Sequence, residues 1–99
     1  MKKYITFGSP SIGKEEIKAV TKCLKSGWIG TGPLVKKFEK KFSDYSKSKF
    51  AIAVGSCTAA LHLSLNLINL SKDDEVIVPA MTFCSTVNSI IHSDYKPVL

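Results

Sequence analysis

The stretch Phe50-Ala51-Ile52-Ala53-Val54-Gly55-Ser56-Cys57-Thr58-Ala59-Ala60-Leu61 decides the fold. Its first five residues are apolar without alternation, the pattern of a strand buried on both faces. Gly55-Ser56 breaks that run, and residues 58–70 are then apolar on most sides, which predicts a helix packed well into a core. Downstream, Ser71-Lys72-Asp73-Asp74 reads as a polar turn, and Glu75-Val76-Ile77-Val78 repeats the buried-strand pattern until Pro79 stops it. Residues 82–92 can form a further core helix, and Pro97-Val98-Leu99 reads as the start of another strand.

Upstream, residues 15–25 place Ile17, Val20 and Leu24 at helical spacing over a charged face, and Ser26-Gly27 ends that helix. Gly27-Trp28-Ile29-Gly30-Thr31-Gly32-Pro33 holds three glycines and reads as a structured loop. Pro33 suits the first turn of a second helix, in which Val35, Phe38, Phe42 and Tyr45 share one stripe. Residues 1–10 lack periodicity and are expected to be an extended arm. The order helix, helix, strand, helix, strand, helix, strand, with short connections, implies an α/β layered domain with right-handed crossovers and a mainly parallel or mixed sheet. Ninety-nine residues support one modest core at most. Ending on an apolar strand, the chain is expected to be the opening portion of a larger domain.

The net charge of +6 arises from 14 basic residues, all lysine, against eight acids. Base-specific readers of nucleic acid rely on arginine forks, and none is available, so the pairs Lys36/Lys37 and Lys40/Lys41 read as solvated helix faces. Cys23, Cys57 and Cys84 form neither a CxxC nor a metal-ligand spacing, so neither a disulfide framework nor a metal site is expected. MKKYITFGSP lacks an apolar core for a leader, and no run approaches a membrane span, so the expected setting is the cytoplasm.

At Gly55-Ser56-Cys57-Thr58 a strand delivers the chain to a small-residue turn. The helix that follows opens with free N–H groups and the positive end of its dipole, which suits an anion. Ser56 and Thr58 add hydroxyls. The same residues also read as no more than a helix cap and a turn glycine. The turn is neither GxGxxG nor GxxxxGK[ST]. Phe83, after the next strand, stands where open α/β sheets place ligands and is either an aromatic platform or a core residue. His62 and His92 read as structural.

GSCTAAL followed by EVIVPAMTF resembles the DegT/DnrJ/EryC1/StrS family of pyridoxal-phosphate-dependent nucleotide-sugar aminotransferases. The arm TFGSPSIGKEEIKAV, the loop SGWIGTGP, the helix KKFEKKFSDY and the ending YKPVL extend the resemblance along the chain. It implies the opening portion of a fold-type-I, aspartate aminotransferase-like large domain, a mixed sheet with flanking helices, working as a homodimer. By position, Ser56, Cys57 and Thr58 match the turn that cradles the phosphate of pyridoxal 5'-phosphate (PLP), and Phe83 the aromatic stacked on its ring. Thr6, Phe7, Trp28, Ile29, Gly30 and Thr31 resemble segments that contact the nucleotide sugar; Trp28 also reads as a packing anchor.

No lysine here matches the family's Schiff-base lysine, which is expected beyond Leu99, so the 99-residue chain alone is expected to be inactive. The resemblance implies conversion of a keto-sugar nucleotide to an amino-sugar nucleotide with an amino-acid donor such as glutamate, in surface-polysaccharide or amino-sugar biosynthesis. Two other readings stand beside it. One is a sugar dehydratase of the same family; the other is a small α/β module that binds phosphorylated ligands. Neither nucleic acid nor membrane is expected as a partner.

Overall fold

A computed structural model describes residues 8–99. The chain divides into two compact units, Met1–Ala51 and Ile52–Leu99. In the first, α1 (Lys14–Lys25) and α2 (Pro33–Ser46) are the two helices of the described residues. Glu15 and Glu16 occupy the first turn of α1, and Lys22 and Lys25 its last, so both charges oppose the helix dipole favourably. Glu16 reaches back to accept the N–H of Gly13 at 2.7 Å, half of a capping box, since glycine has no side chain to return the bond. Ser26 closes α1, and Gly27, at φ +75, turns the chain through a region that glycine enters without a Cβ clash.

Pro33 opens α2 at its first position, as the sequence predicts. The helix stops where Lys47 adopts the left-handed conformation at φ 55, with the N–H of Ser48 returning to the carbonyl of Ser43 at 3.0 Å. Phe38 and Phe42 lie one turn apart with ring centroids 6.0 Å from each other. The apolar stripes of both helices are open, with Ile17, Val20, Leu24, Phe38 and Phe42 all exposed. Of the expected arm at residues 1–10, only Gly8, Ser9 and Pro10 lie within the described residues.

The second unit runs α3 (Cys57–Ile68), β1 (Glu75–Ile77), α4 (Cys84–His92) and β2 (Lys96–Val98). β1 and β2 pair in parallel, with Glu75 opposite Lys96, Val76 opposite Pro97 and Ile77 opposite Val98. The N–H of Val78 extends the ladder to the carbonyl of Val98 at 2.8 Å, and the N–H of Lys96 extends it to Asp74. A parallel pair needs a crossover, and α4 supplies it, packing on α3 and β2. α4 ends in a Schellman turn: Asp94 is left-handed at φ 60, its N–H bonds Ile91, and the N–H of Tyr95 bonds Ile90. Val78, Ser89 and Ile90 form the buried centre, and the Ser89 hydroxyl is satisfied by the carbonyl of Thr86 at 3.0 Å.

Three sequence expectations change. Residues 50–54 form no strand, and Phe50 and Ile52 are exposed. Their apolar run states what the segment can bury; Ala51 and Ala53 are partly covered, while Phe50, Ile52 and Val54 stand out to solvent. α3, expected deep in a core, has no buried residue, and Leu67 is 83% exposed; one side meets α4 and the other is open. β1, expected to be buried on both faces, buries Val78 beyond its end while Ile77 is exposed. The sheet of the described residues is a parallel pair, in keeping with the expected α/β class.

Candidate functional site

Ser56 is the N-cap of α3, in extended backbone. Its Oγ accepts the N–H of Ala59 at 3.1 Å, and its carbonyl accepts the N–H of Ala60 at 3.1 Å. The cap reading of the sequence therefore holds, and it does not compete with an anion. Accepting one hydrogen bond leaves the Ser56 hydroxyl proton free to donate outward. The N–H groups of Cys57 and Thr58, ahead of the first intrahelical bonds, have no acceptor within the helix. No acid occupies the first turn of α3, so nothing there repels an incoming negative charge. Ser56, Cys57 and Thr58 are exposed, and nothing lies within 4 Å of the place where a Cβ on Gly55 would stand. Two open N–H groups, two hydroxyls and clear space fit a phosphate group.

Phe83 holds the corresponding N-cap place of α4, with its carbonyl accepting the N–H of Thr86 at 2.9 Å. Phe83 is 75% exposed, so the described residues leave it uncovered. Thr82 and Thr86 bond through their hydroxyls at 3.0 Å and pin the turn beside it. His62 and His92 meet across α3 and α4 with ring centroids 6.3 Å apart, in keeping with a packing role. Cys23, Cys57 and Cys84 are free thiols, and no group of three metal-ligating side chains occurs among the described residues.

The glycine loop builds a second constellation inside the first unit. A pocket of about 320 Å³ is lined by Lys22, Cys23, Ser26, Trp28, Ile29 and Gly30 together with the start of α2. The structure thus brings three of the four loop residues singled out in the sequence to one concavity, while Thr31 does not line it. Trp28 is 60% exposed. The backbone of Trp28 is held at both ends: its N–H donates to Ser26 Oγ at 3.3 Å, and its carbonyl accepts from Cys23 Sγ at 3.2 Å. Cys23 and Ser26 escaped the sequence reading because they lie on the preceding helix and its cap, and only the turn at Gly27 folds them onto the loop. Thr6 and Phe7 lie outside the described residues. Among the described residues no helix is long and apolar enough to cross a membrane.

Comparison with known proteins agrees with this architecture. The chain is 48% identical over 95 residues to the spore coat polysaccharide biosynthesis protein SpsC of Bacillus subtilis, covering 96% of this chain and 24% of SpsC. Spr1654 of Streptococcus pneumoniae, assigned as a sugar aminotransferase and solved in PLP and PMP forms, superposes with a TM-score of 0.84 at 41% identity, over 95% of this chain and 24% of its own. The GDP-4-keto-6-deoxy-D-mannose-3-dehydratase of E. coli, solved with bound hydrated PLP, superposes with a TM-score of 0.79 at 29% identity, over 90% of this chain and 24% of its own. The chain therefore spans about a quarter of the length of these relatives. Residues 10–99 match the DegT/DnrJ/EryC1/StrS aminotransferase family. With both the match and the superpositions running through nearly its whole length, the chain belongs to the DegT/DnrJ/EryC1/StrS aminotransferase family.

Proposed function

We propose that the full-length protein is a PLP-dependent sugar aminotransferase that moves an amino group from an amino acid such as L-glutamate to a keto-sugar nucleotide. The observation that carries this reading is the start of α3, where the N–H groups of Cys57 and Thr58 have no acceptor within the helix and the exposed Ser56 hydroxyl, accepting from Ala59, still has its proton to donate. Membership of the family and the PLP-bound relatives support it. Residues 1–99 then form the first part of a PLP-binding domain, with residues 1–10 as an arm. We assign the setting as cytoplasmic, the assembly as a homodimer and the pathway as amino-sugar or surface-polysaccharide synthesis, the last supported by the likeness to SpsC.

In this reading the Cys57 and Thr58 N–H groups bind the phosphate dianion, helped by the positive end of the helix dipole. The hydroxyls of Ser56 and Thr58 donate to its remaining oxygens. The ring of Phe83 offers a flat surface that fixes the plane of the cofactor and covers one side of it. When bound, PLP supplies the electron sink on which amino transfer depends. Trp28, Ile29, Gly30 and Thr31, with Thr6 and Phe7, form the binding region for the nucleotide sugar, and the loop pocket excludes water from the part it encloses.

The test uses the purified full-length protein with PLP, L-glutamate and a panel of keto-sugar nucleotides, followed by mass spectrometry of the sugar product. Gain of an amino group is the expected result. Loss of a hydroxyl without gain of nitrogen identifies the dehydratase chemistry of the E. coli relative instead. The 99-residue chain alone, in which no lysine matches the family's catalytic one, is expected to transfer nothing.

A further inference from the structure

Gly32 is buried although its neighbour Trp28 is largely exposed. The indole explains this. A Cβ placed on Gly32 would stand 2.8 Å from Cε3 and 3.3 Å from Cδ2 of Trp28, so the indole rests directly on the glycine backbone. Carbon atoms in contact sit about 3.5–4.0 Å apart, so any side chain at position 32 would drive the ring away by roughly 0.7–1.2 Å. The backbone cannot take up that displacement easily. Trp28 is tied at its N–H to Ser26 and at its carbonyl to Cys23, and the carbonyl of Gly32 accepts the N–H of Lys36 at 3.2 Å at the start of α2. Gly32 itself has φ -151 and ψ -160, extended backbone that any residue adopts. Conformation therefore does not require glycine at position 32; the indole does.

We infer that Gly32 is a positioning residue for substrate: its bare backbone seats Trp28 so that the open part of the indole forms a fixed wall of the loop pocket, against which the nucleotide part of the sugar nucleotide packs. This inference rests on the proposed function, and it gives Gly32, itself one of the pocket's lining residues, a role that the resemblance does not assign. Lys22 also lines this pocket, and a lysine can meet the negative charge of a diphosphate. The ligand class is that of the proposed function, a nucleoside diphosphate joined to a sugar.

The test uses the full-length PLP-bound protein and three probes, UDP, dTDP and GDP, titrated by calorimetry. An aromatic contact is worth up to about tenfold in affinity beyond its buried area, so Gly32→Ala, which moves the indole off the ligand, is expected to weaken the diphosphate that wild type binds by up to about tenfold. The half-reaction with L-glutamate, which does not engage the sugar nucleotide, is expected to change by less than about twofold, since its groups lie outside this contact. Phenylalanine has no atom at the Cε3 position, so in a Trp28→Phe background the same Gly32→Ala change is expected to cost little more. Equal loss in diphosphate affinity and in the L-glutamate half-reaction would identify a merely structural glycine and overturn the inference. So would an undiminished effect of Gly32→Ala in the Trp28→Phe background, or a wild-type affinity that Gly32→Ala leaves intact, and in both cases the proposed function stands. Failure of wild type to bind any of the three diphosphates removes the nucleotide-sugar reading and this inference with it.

Discussion

Replacing Ser56 separates two roles that one hydroxyl performs. Its Oγ accepts the N–H of Ala59, and its proton is free for a phosphate. Ser56→Ala removes both: loss of an N-cap costs about 1 kcal/mol of helix stability, and loss of a hydrogen bond to a charged group costs about 1.5–3 kcal/mol of binding. Ser56→Asp keeps the cap, because aspartate caps as well as serine, but sets a carboxylate beside the phosphate. Two unit charges 4 Å apart repel by about 4 kcal/mol at an effective dielectric of 20. Half that figure, allowing for the exposure of the turn, still corresponds to roughly thirtyfold in affinity. Ser56→Asn keeps both the cap and a neutral donor and should stay close to wild type. The assays are PLP titration of the full-length apoprotein by absorbance and hydrogen exchange of the Ala59 amide. Exchange should accelerate only in Ser56→Ala, and PLP affinity should fall in Ser56→Ala and furthest in Ser56→Asp. A Ser56→Asp protein that binds PLP as tightly as wild type would refute the placement of the phosphate at this turn.

Two further outcomes follow from features described above. Phe83→Leu should speed loss of PLP on dialysis by up to about tenfold, the share of an aromatic pair beyond its buried area, whereas Phe83→Tyr should retain it; equal retention by all three proteins would rule out a stacking role. The Glu16 carboxyl is held below its ordinary 4.5, first by the N–H of Gly13 and then by its own backbone. A depressed folded value means that this carboxylate supports the first turn of α1 fully above its unfolded value and ceases to as pH falls through its folded one. An NMR titration should therefore place its midpoint under 4.5 with the Gly13 amide shift moving in step, and Glu16→Gln should abolish that movement; a midpoint at or above 4.5 contradicts the capping geometry.

The helices were legible because their signals are local. Pro33 marks the first residue of α2, and the spacing of Ile17, Val20 and Leu24 marks α1. Phe50-Ala51-Ile52-Ala53-Val54 misled because an unbroken apolar run reports a capacity for burial, which neighbouring elements must meet, and Phe50 and Ile52 stand exposed. At the candidate site, Gly55-Ser56-Cys57-Thr58 announces a helix start, yet only the bond from Ala59 shows that the Ser56 hydroxyl acts there as an acceptor. The sequence left Phe83 between core and platform, and among the described residues it stands uncovered. The Gly32–Trp28 contact was invisible, because glycine in a loop signals a turn and nothing in spacing says which ring lies upon it.

The open segment at residues 50–54 has a consequence for handling the chain. Five uncharged apolar residues with no proline are the composition from which cross-β stacking grows when such a segment is accessible. Lys47 and Lys49 stand immediately before it, and the ammonium of Lys49 lies 5.4 Å from the centre of the Phe50 ring. Positive charges flanking an apolar run act as gatekeepers, since in-register stacking would bring like charges into columns. Their replacement by neutral residues would expose the chain to aggregation from solution before any effect on its folded contacts became visible.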